Sequence, residues 1–279
     1  YCTMAVISDG VNTKLGTIFT PYKFFYSWNK ANETDTVANG ISSLFTMIEG
    51  AFSPDRLLQV FRDFIFYPDD SKKSEAIICR YPQFFAANKM LESLSQHKRP
   101  AGDGKGGIYF GATGCGKTYT MLFLSRQLML RKKDVFHNPT IVLITDREDL
   151  DTQTSKLFVT AKEYLHDKNI KSIESRDDLH DTLSNCESGG VYITTIQKFC
   201  ESTGLLSDRS NIICISDEAH RSNAGVNAKL KKTDKGVFTT YGFAYYLRES
   251  LPNAFIAVLP ARLLTKRLRC SAMSLTHTR

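Results

Sequence analysis

The sequence predicts an α/β fold, a parallel sheet flanked by helices, and three observations predict it. From about Gly107 onward, short apolar runs alternate with longer amphipathic segments, the pattern of successive βαβ units. A glycine-rich stretch, Gly111 to Thr118, follows an apolar run and opens an amphipathic one. An acidic pair, Asp217 and Glu218, ends another apolar run about a hundred residues later.

Taken in order, the expected strands are Ile108 to Phe110, Thr140 to Thr145, Val191 to Thr195, Asn211 to Ser216 and Ala254 to Leu259. Each is short and rich in β-branched residues, as strands buried on both faces are. Helices are expected over Lys117 to Leu130, where Met121, Leu124 and Leu128 share a face, around Leu150 to Leu165, and over Tyr241 to Leu251. The run from Arg99 to Gly107 is glycine-rich and reads as a mobile loop. Residues 1 to about 60 are turn-rich, do not fit the alternation, and read as the end of another domain. The expected organisation is 1–61, 62–258 and a tail, 259–279.

Composition narrows the class. With 279 residues and 42% hydrophobic content, the chain can bury a sizeable core. The formal charge is +7, but Arg262, Lys266, Arg267, Arg269 and Arg279 lie in the tail with no acid among them. Taking those five from 36 basic residues leaves 31 against 29 acidic ones. The basic balance belongs to the tail and says nothing about nucleic acid. Seven cysteines form no CxxC or Cys/His cluster and read as reduced cytosolic thiols, which predicts a cytoplasmic protein. No apolar run is long enough to span a membrane, and the start has no secretory pattern.

The glycine-rich stretch Gly111-Ala112-Thr113-Gly114-Cys115-Gly116-Lys117-Thr118 matches G-x-x-x-x-G-K-[ST] in the context that motif requires. Its glycines let backbone N–H groups turn around phosphates, and the helix N-terminus adds positive potential. Lys117 is placed to reach the β and γ oxygens of ATP, and the Thr118 hydroxyl to hold Mg²⁺. In Asp217-Glu218-Ala219-His220, Asp217 is expected on Mg²⁺, and Glu218 on the attacking water. An acidic pair at a helix start has a bland reading too, but its position after a phosphate loop argues for the site. His220 either couples ATP state to a second motor lobe or caps a surface helix.

Two further strand ends carry polar clusters, Thr145-Asp146-Arg147 and Thr194-Thr195-Ile196-Gln197-Lys198. Such groups can grip the phosphates of a nucleic-acid strand without reading bases, or simply cap helices. Gln83 lies upstream of the loop, where its amide could pair with an adenine edge, or sit unremarkably beside Phe84 and Phe85.

In order, GATGCGKT, ITDREDLDTQ, TTIQKF and SDEAHRSNAG resemble motifs I, Ia, Ib and II of superfamily 2 helicase-like motors, in the form found in type I restriction R subunits. IICRYPQFFAANKMLE is similar to that family's glutamine-bearing segment, and KLKKTDKGVFTTYGFAYYLRESLPNAFIA to its approach to motif III. The opening VISDGVNTKLGTIFTPYKFFYSWN resembles the junction after the family's nuclease domain. The resemblance implies a RecA-like P-loop domain preceded by a nuclease-domain remnant, ATP-driven translocation along duplex DNA before cleavage, and a complex with modification and specificity subunits. It places the nuclease residues upstream of Tyr1, so no DNA-cleaving residue is assigned. The rivals are another superfamily 2 helicase, one acting on RNA for instance, and a non-catalytic remnant.

After Ile256-Ala257-Val258 the family continues into Thr-Gly-Thr-Pro, whereas this chain reads Leu259-Pro260-Ala261-Arg262. A one-base frame slip accounts for the difference. The codons TTA CCG GCA CGC CTA TTG, taken from the third base, encode Thr-Gly-Thr-Pro-Ile. On that reading 259–279 was never selected to pack and is poorly ordered. With one motor lobe, the polypeptide is expected to bind Mg·ATP weakly, hydrolyse it slowly and fail to translocate.

Overall fold

The computed structural model describes residues 3–69, 75–98, 102–111, 114–145, 148–199, 204–217, 229–233, 236–240 and 243–259. Its centre is a six-stranded sheet of β5 (Lys105–Ile108), β6 (Thr140–Thr145), β7 (Ile170–Ser172), β8 (Val191–Thr195), β9 (Ile212–Asp217) and β12 (Phe255–Leu259). The spatial order is β5-β12-β9-β6-β8-β7, and every neighbouring pair is parallel.

Residue alternation in the strands explains why both faces are covered. Ile141, Leu143, Val191, Ile193, Ile213, Ile215, Phe255 and Ala257 join one apolar cluster. Their sequence neighbours Val142, Ile144, Tyr192, Ile212 and Cys214 join the other. With side chains pointing alternately up and down, a strand buried on both faces must be apolar throughout. The first cluster is closed by α3 (Tyr81–Gln96) and α4 (Lys117–Arg126), through Met90, Leu94, Met121 and Leu124. The second is closed by α7 (Arg176–Asn185) and α8 (Phe243–Ser250), through Leu179, Leu183 and Leu247.

Three expectations differ from what is found. The first strand is Lys105–Ile108 rather than Ile108 to Phe110, although the Tyr109 amide still donates to Val258 O at 2.9 Å. The glycines before it therefore belong partly to the sheet. A Cβ on Gly106 would lie 2.8 Å from Ile256 O and 2.8 Å from Leu94 Cδ2, so glycine lets the strand pass close beneath α3. Second, the junction expected at 61/62 falls inside α2 (Pro54–Asp63). Trp28, from the upstream segment, is fully buried with Tyr81, Phe84 and Phe85 around it, so the two stretches share one core. Third, Leu259 is buried and completes β12; the rest of the expected tail, 260–279, lies outside the described residues.

The upstream segment forms a hairpin, β1 (Met4–Ser8) with β2 (Thr13–Thr17), and a helix, α1 (Ser42–Gly50). A two-strand pair, β3 (Ile65–Phe66) with β4 (Ile77–Ile78), leads into α3. The expected helix over Leu150 to Leu165 is two, α5 (Glu148–Val159) and α6 (Lys162–Leu165). A second hairpin, β10 (Lys229–Thr233) with β11 (Gly236–Thr240), was not anticipated. Among the described residues no helix is long and apolar enough to cross a membrane, and Cys79, Cys115, Cys186 and Cys214 are free thiols.

Candidate functional site

All six strands run the same way, so their carboxyl ends lie along one edge of the sheet. Ile108 of β5 pairs with Val258 of β12, which pairs with Ser216 of β9. The ends of β5 and β9 are thus level, with one strand between them, a gap of about 10 Å at ordinary strand spacing. The glycine-rich loop leaves the first end, and Asp217 terminates the other.

The loop is shaped by two residues in the left-handed region, Gly114 at φ +79° and Gly116 at φ +82°. Only glycine adopts that conformation without strain, and it turns backbone N–H groups inward. Gly116 caps the N-terminus of α4, which begins at Lys117. Lys117 is only 8% exposed, and its Nζ folds back to donate to Gly111 O at 3.3 Å. A Cβ on Gly114 would meet nothing within 4 Å, so the space above the loop is open. A concave backbone at a helix N-terminus, with a buried ammonium curled over it, fits the phosphates of a nucleotide.

Gln83 is 5% exposed and its amide is engaged on both sides. Oε1 accepts from the Arg80 amide at 2.8 Å, capping α3. Nε2 donates to Cys115 O at 3.3 Å and to Gly116 O at 3.1 Å. The expected pairing with an adenine edge therefore differs from the arrangement found, in which this amide braces the phosphate loop from behind.

Beside the loop lies a cavity of about 880 Å³, within the usual range of small-molecule sites. Its floor includes Gly114, Gly116 and Tyr119. Its far wall comes from the upstream segment, with Phe19, Pro21, Phe24 and Tyr26. These residues escaped the sequence reading because nothing in their pattern links them to a site a hundred residues away. Tyr26 donates through its hydroxyl to Cys79 O, and its burial pushes the phenol well above the ordinary range.

Asp217 is 8% exposed at the end of β9. Glu218 and His220, with Ala112, Thr113, Asp146 and Arg147, lie outside the described residues. Thr118 and Cys115 are half-buried in the loop and first turn of α4. Of the expected nucleic-acid contacts, Thr145 and Thr194 are buried, 1% and 0% exposed, and Thr145 Oγ1 donates to Thr194 O at 3.4 Å. They are packed inside the sheet end because strands covered on both faces leave no free side. Thr195 and Gln197 instead line a second cleft of about 580 Å³ with Arg176 and Lys198.

A parallel α/β sheet whose first strand feeds a left-handed glycine loop, with a lysine-headed helix behind it, defines a P-loop nucleotide-binding domain. A family model described as SWI2/SNF2 ATPase matches residues 82–259, and the chain belongs to that family. It is 35% identical over 262 residues to the type I restriction enzyme HindI endonuclease subunit of Haemophilus influenzae, covering 91% of this chain and 24% of that protein. It is 25% identical over 243 residues to the type I restriction enzyme SauCOLORF180P endonuclease subunit of Staphylococcus aureus, covering 83% of this chain and 24% of that protein. The chain thus spans about a quarter of the length of these relatives.

Proposed function

We propose that this chain is the ATP-binding lobe of a DNA-translocating motor, part of the R subunit of a type I restriction enzyme. The observation that carries the reading is the level pairing of β5, β12 and β9, which brings the loop and Asp217 to one edge of the sheet.

Lys117 would hold the β and γ phosphates, with the N–H groups of Gly114 and Gly116 around them. Thr118 and Asp217 would hold Mg²⁺, which when bound neutralises charge on the phosphates. Glu218 follows Asp217 directly and would orient or deprotonate the attacking water. His220 would pass the state of the site to a second lobe. Thr195 and Gln197, with Arg176 and Lys198 in the same cleft, would grip the backbone of duplex DNA without reading its sequence.

The similarity to the HindI and SauCOLORF180P endonuclease subunits favours a restriction system over a helicase acting on RNA. It also suggests modification and specificity subunits as partners. In motors of this type a second lobe adds arginines at the γ-phosphate. Where those are not supplied, binding without fast turnover is expected. Titration calorimetry with Mg·ATP tests the reading: wild type binds, and Lys117→Ala loses at least about tenfold in affinity, roughly one charge-assisted contact. Wild-type chain that takes up no ATP ends it.

A further inference from the structure

We propose that residues Gly16 to Tyr26, upstream of every recognisable motor motif, form the base-binding wall of the nucleotide site and take a purine base by stacking. The inference rests on the reading that loop 111–118 holds phosphate. Given that reading, a base attached to those phosphates has to find a wall, and the cavity beside Gly114 and Gly116 offers one on its far side.

That wall is largely apolar, with Phe19, Pro21, Phe24 and Tyr26 facing Ile77 and Tyr119 across the cavity. Phe19 is 45% exposed and Phe24 55% exposed. Two phenyl rings left in solvent at the rim of a large concavity have no packing reason to be there, whereas a flat aromatic ligand would cover them. Gln83 does not compete for the role, since its amide is committed to Arg80, Cys115 and Gly116.

The wall is also pre-formed. Thr17 Oγ1 donates to Ala76 O at 3.0 Å and also pairs with Thr20 Oγ1 at 2.7 Å. The Thr20 amide donates to Thr17 O at 3.0 Å, and the Phe24 amide to Pro21 O at 2.8 Å. Gly16 permits the fold of this loop, because a Cβ there would lie 2.7 Å from the Phe25 ring. A wall already held in shape costs little ordering when a base arrives.

Calorimetry on the 279-residue chain with Mg²⁺ present, titrating ATP and inorganic tripolyphosphate in parallel, separates the two readings. Phe19→Ala and Phe24→Ala are each expected to weaken ATP by about tenfold, the scale of one lost base–aromatic stack, and to leave tripolyphosphate within about twofold. Phe24→Trp should restore ATP binding, and unchanged thermal transitions exclude misfolding. If both alanine variants keep wild-type ATP affinity, or if ATP binds no better than tripolyphosphate, the wall does not hold the base while the phosphate reading stands. If tripolyphosphate fails to bind the wild-type chain, the phosphate reading falls and this inference with it.

Discussion

The side-chain amide of Gln83 donates to the backbone carbonyl of Gly116 at 3.1 Å, joining the start of α3 to the phosphate loop across 33 residues of sequence. The same nitrogen reaches Cys115 O, and the amide oxygen caps Arg80. Replacing Gln83 with Ala would strand these groups, at a cost of about 1–3 kcal/mol for buried polar atoms left unpaired. If the residue braces the loop, Gln83→Ala lowers affinity for ATP and for tripolyphosphate together. A loss confined to ATP would instead assign the amide to the base, and calorimetry with both ligands reads the difference.

The two left-handed glycines differ in what surrounds them. A Cβ at Gly114 meets nothing within 4 Å, while one at Gly116 lies 2.4 Å from Gln83 Nε2. Gly114→Ala should therefore lose only the conformational term, about 1–2 kcal/mol. Gly116→Ala should lose that and the brace as well, and so unfold at clearly lower urea. Equal urea midpoints for the two variants would contradict the assignment.

The sheet was legible because its strands are apolar on both faces, so Thr140–Thr145 and Val191–Thr195 stand out at their observed bounds. The loop was legible for a different reason: phosphate binding demands glycine and lysine at fixed spacing. The edge strand Ile170–Ser172 was not, since three residues carry too little period. Helix α7 was not either, with only Leu179 and Leu183 turned inward and a polar remainder. The aromatic wall at Phe19 and Phe24 was invisible because it is a product of tertiary contact, and exposed phenyl rings in a turn-rich segment carry no local signature.

Asp63, at the end of α2, is fully buried and receives three guanidinium groups. Arg131 Nε lies 2.8 Å away, Arg62 Nε 2.8 Å and Arg126 Nε 3.5 Å. The three are not equivalent, since Arg62 is 54% exposed and Arg126 only 13%. Removing the carboxylate leaves Arg126 desolvated without its counter-charge, so Asp63→Asn should cost about 3–5 kcal/mol. Arg62→Ala, taken from a mostly solvated position, should cost less than about 1 kcal/mol. Urea unfolding measures both, and a cost for Asp63→Asn as small as that for Arg62→Ala would show that the cluster does not tie α2 to the helix after the phosphate loop.

Cys214 lies in the middle of β9, three residues before Asp217, with no exposed surface. Burial pushes its thiol up from about 9 to about 12, and nearby Arg248 opposes the shift only in part. The folded chain keeps this proton to higher pH than the unfolded chain does, so unfolding releases a proton anywhere between those two values. The stability it contributes is therefore intact below pH 9 and is lost as pH rises toward 12. The expected slope is about 1.4 kcal/mol per pH unit for one group. Cys79, also buried, is pushed the same way and adds to the wild-type slope. Cys214→Val, of similar volume and without a proton to lose, should flatten the decline, so that the gap between variant and wild type moves in the variant's favour by about 2 kcal/mol between pH 9 and 10.5. Urea titrations at those two values decide it: a gap that does not change with pH would mean that the thiol is solvated in the folded sheet and that β9 is less tightly covered than its neighbours require.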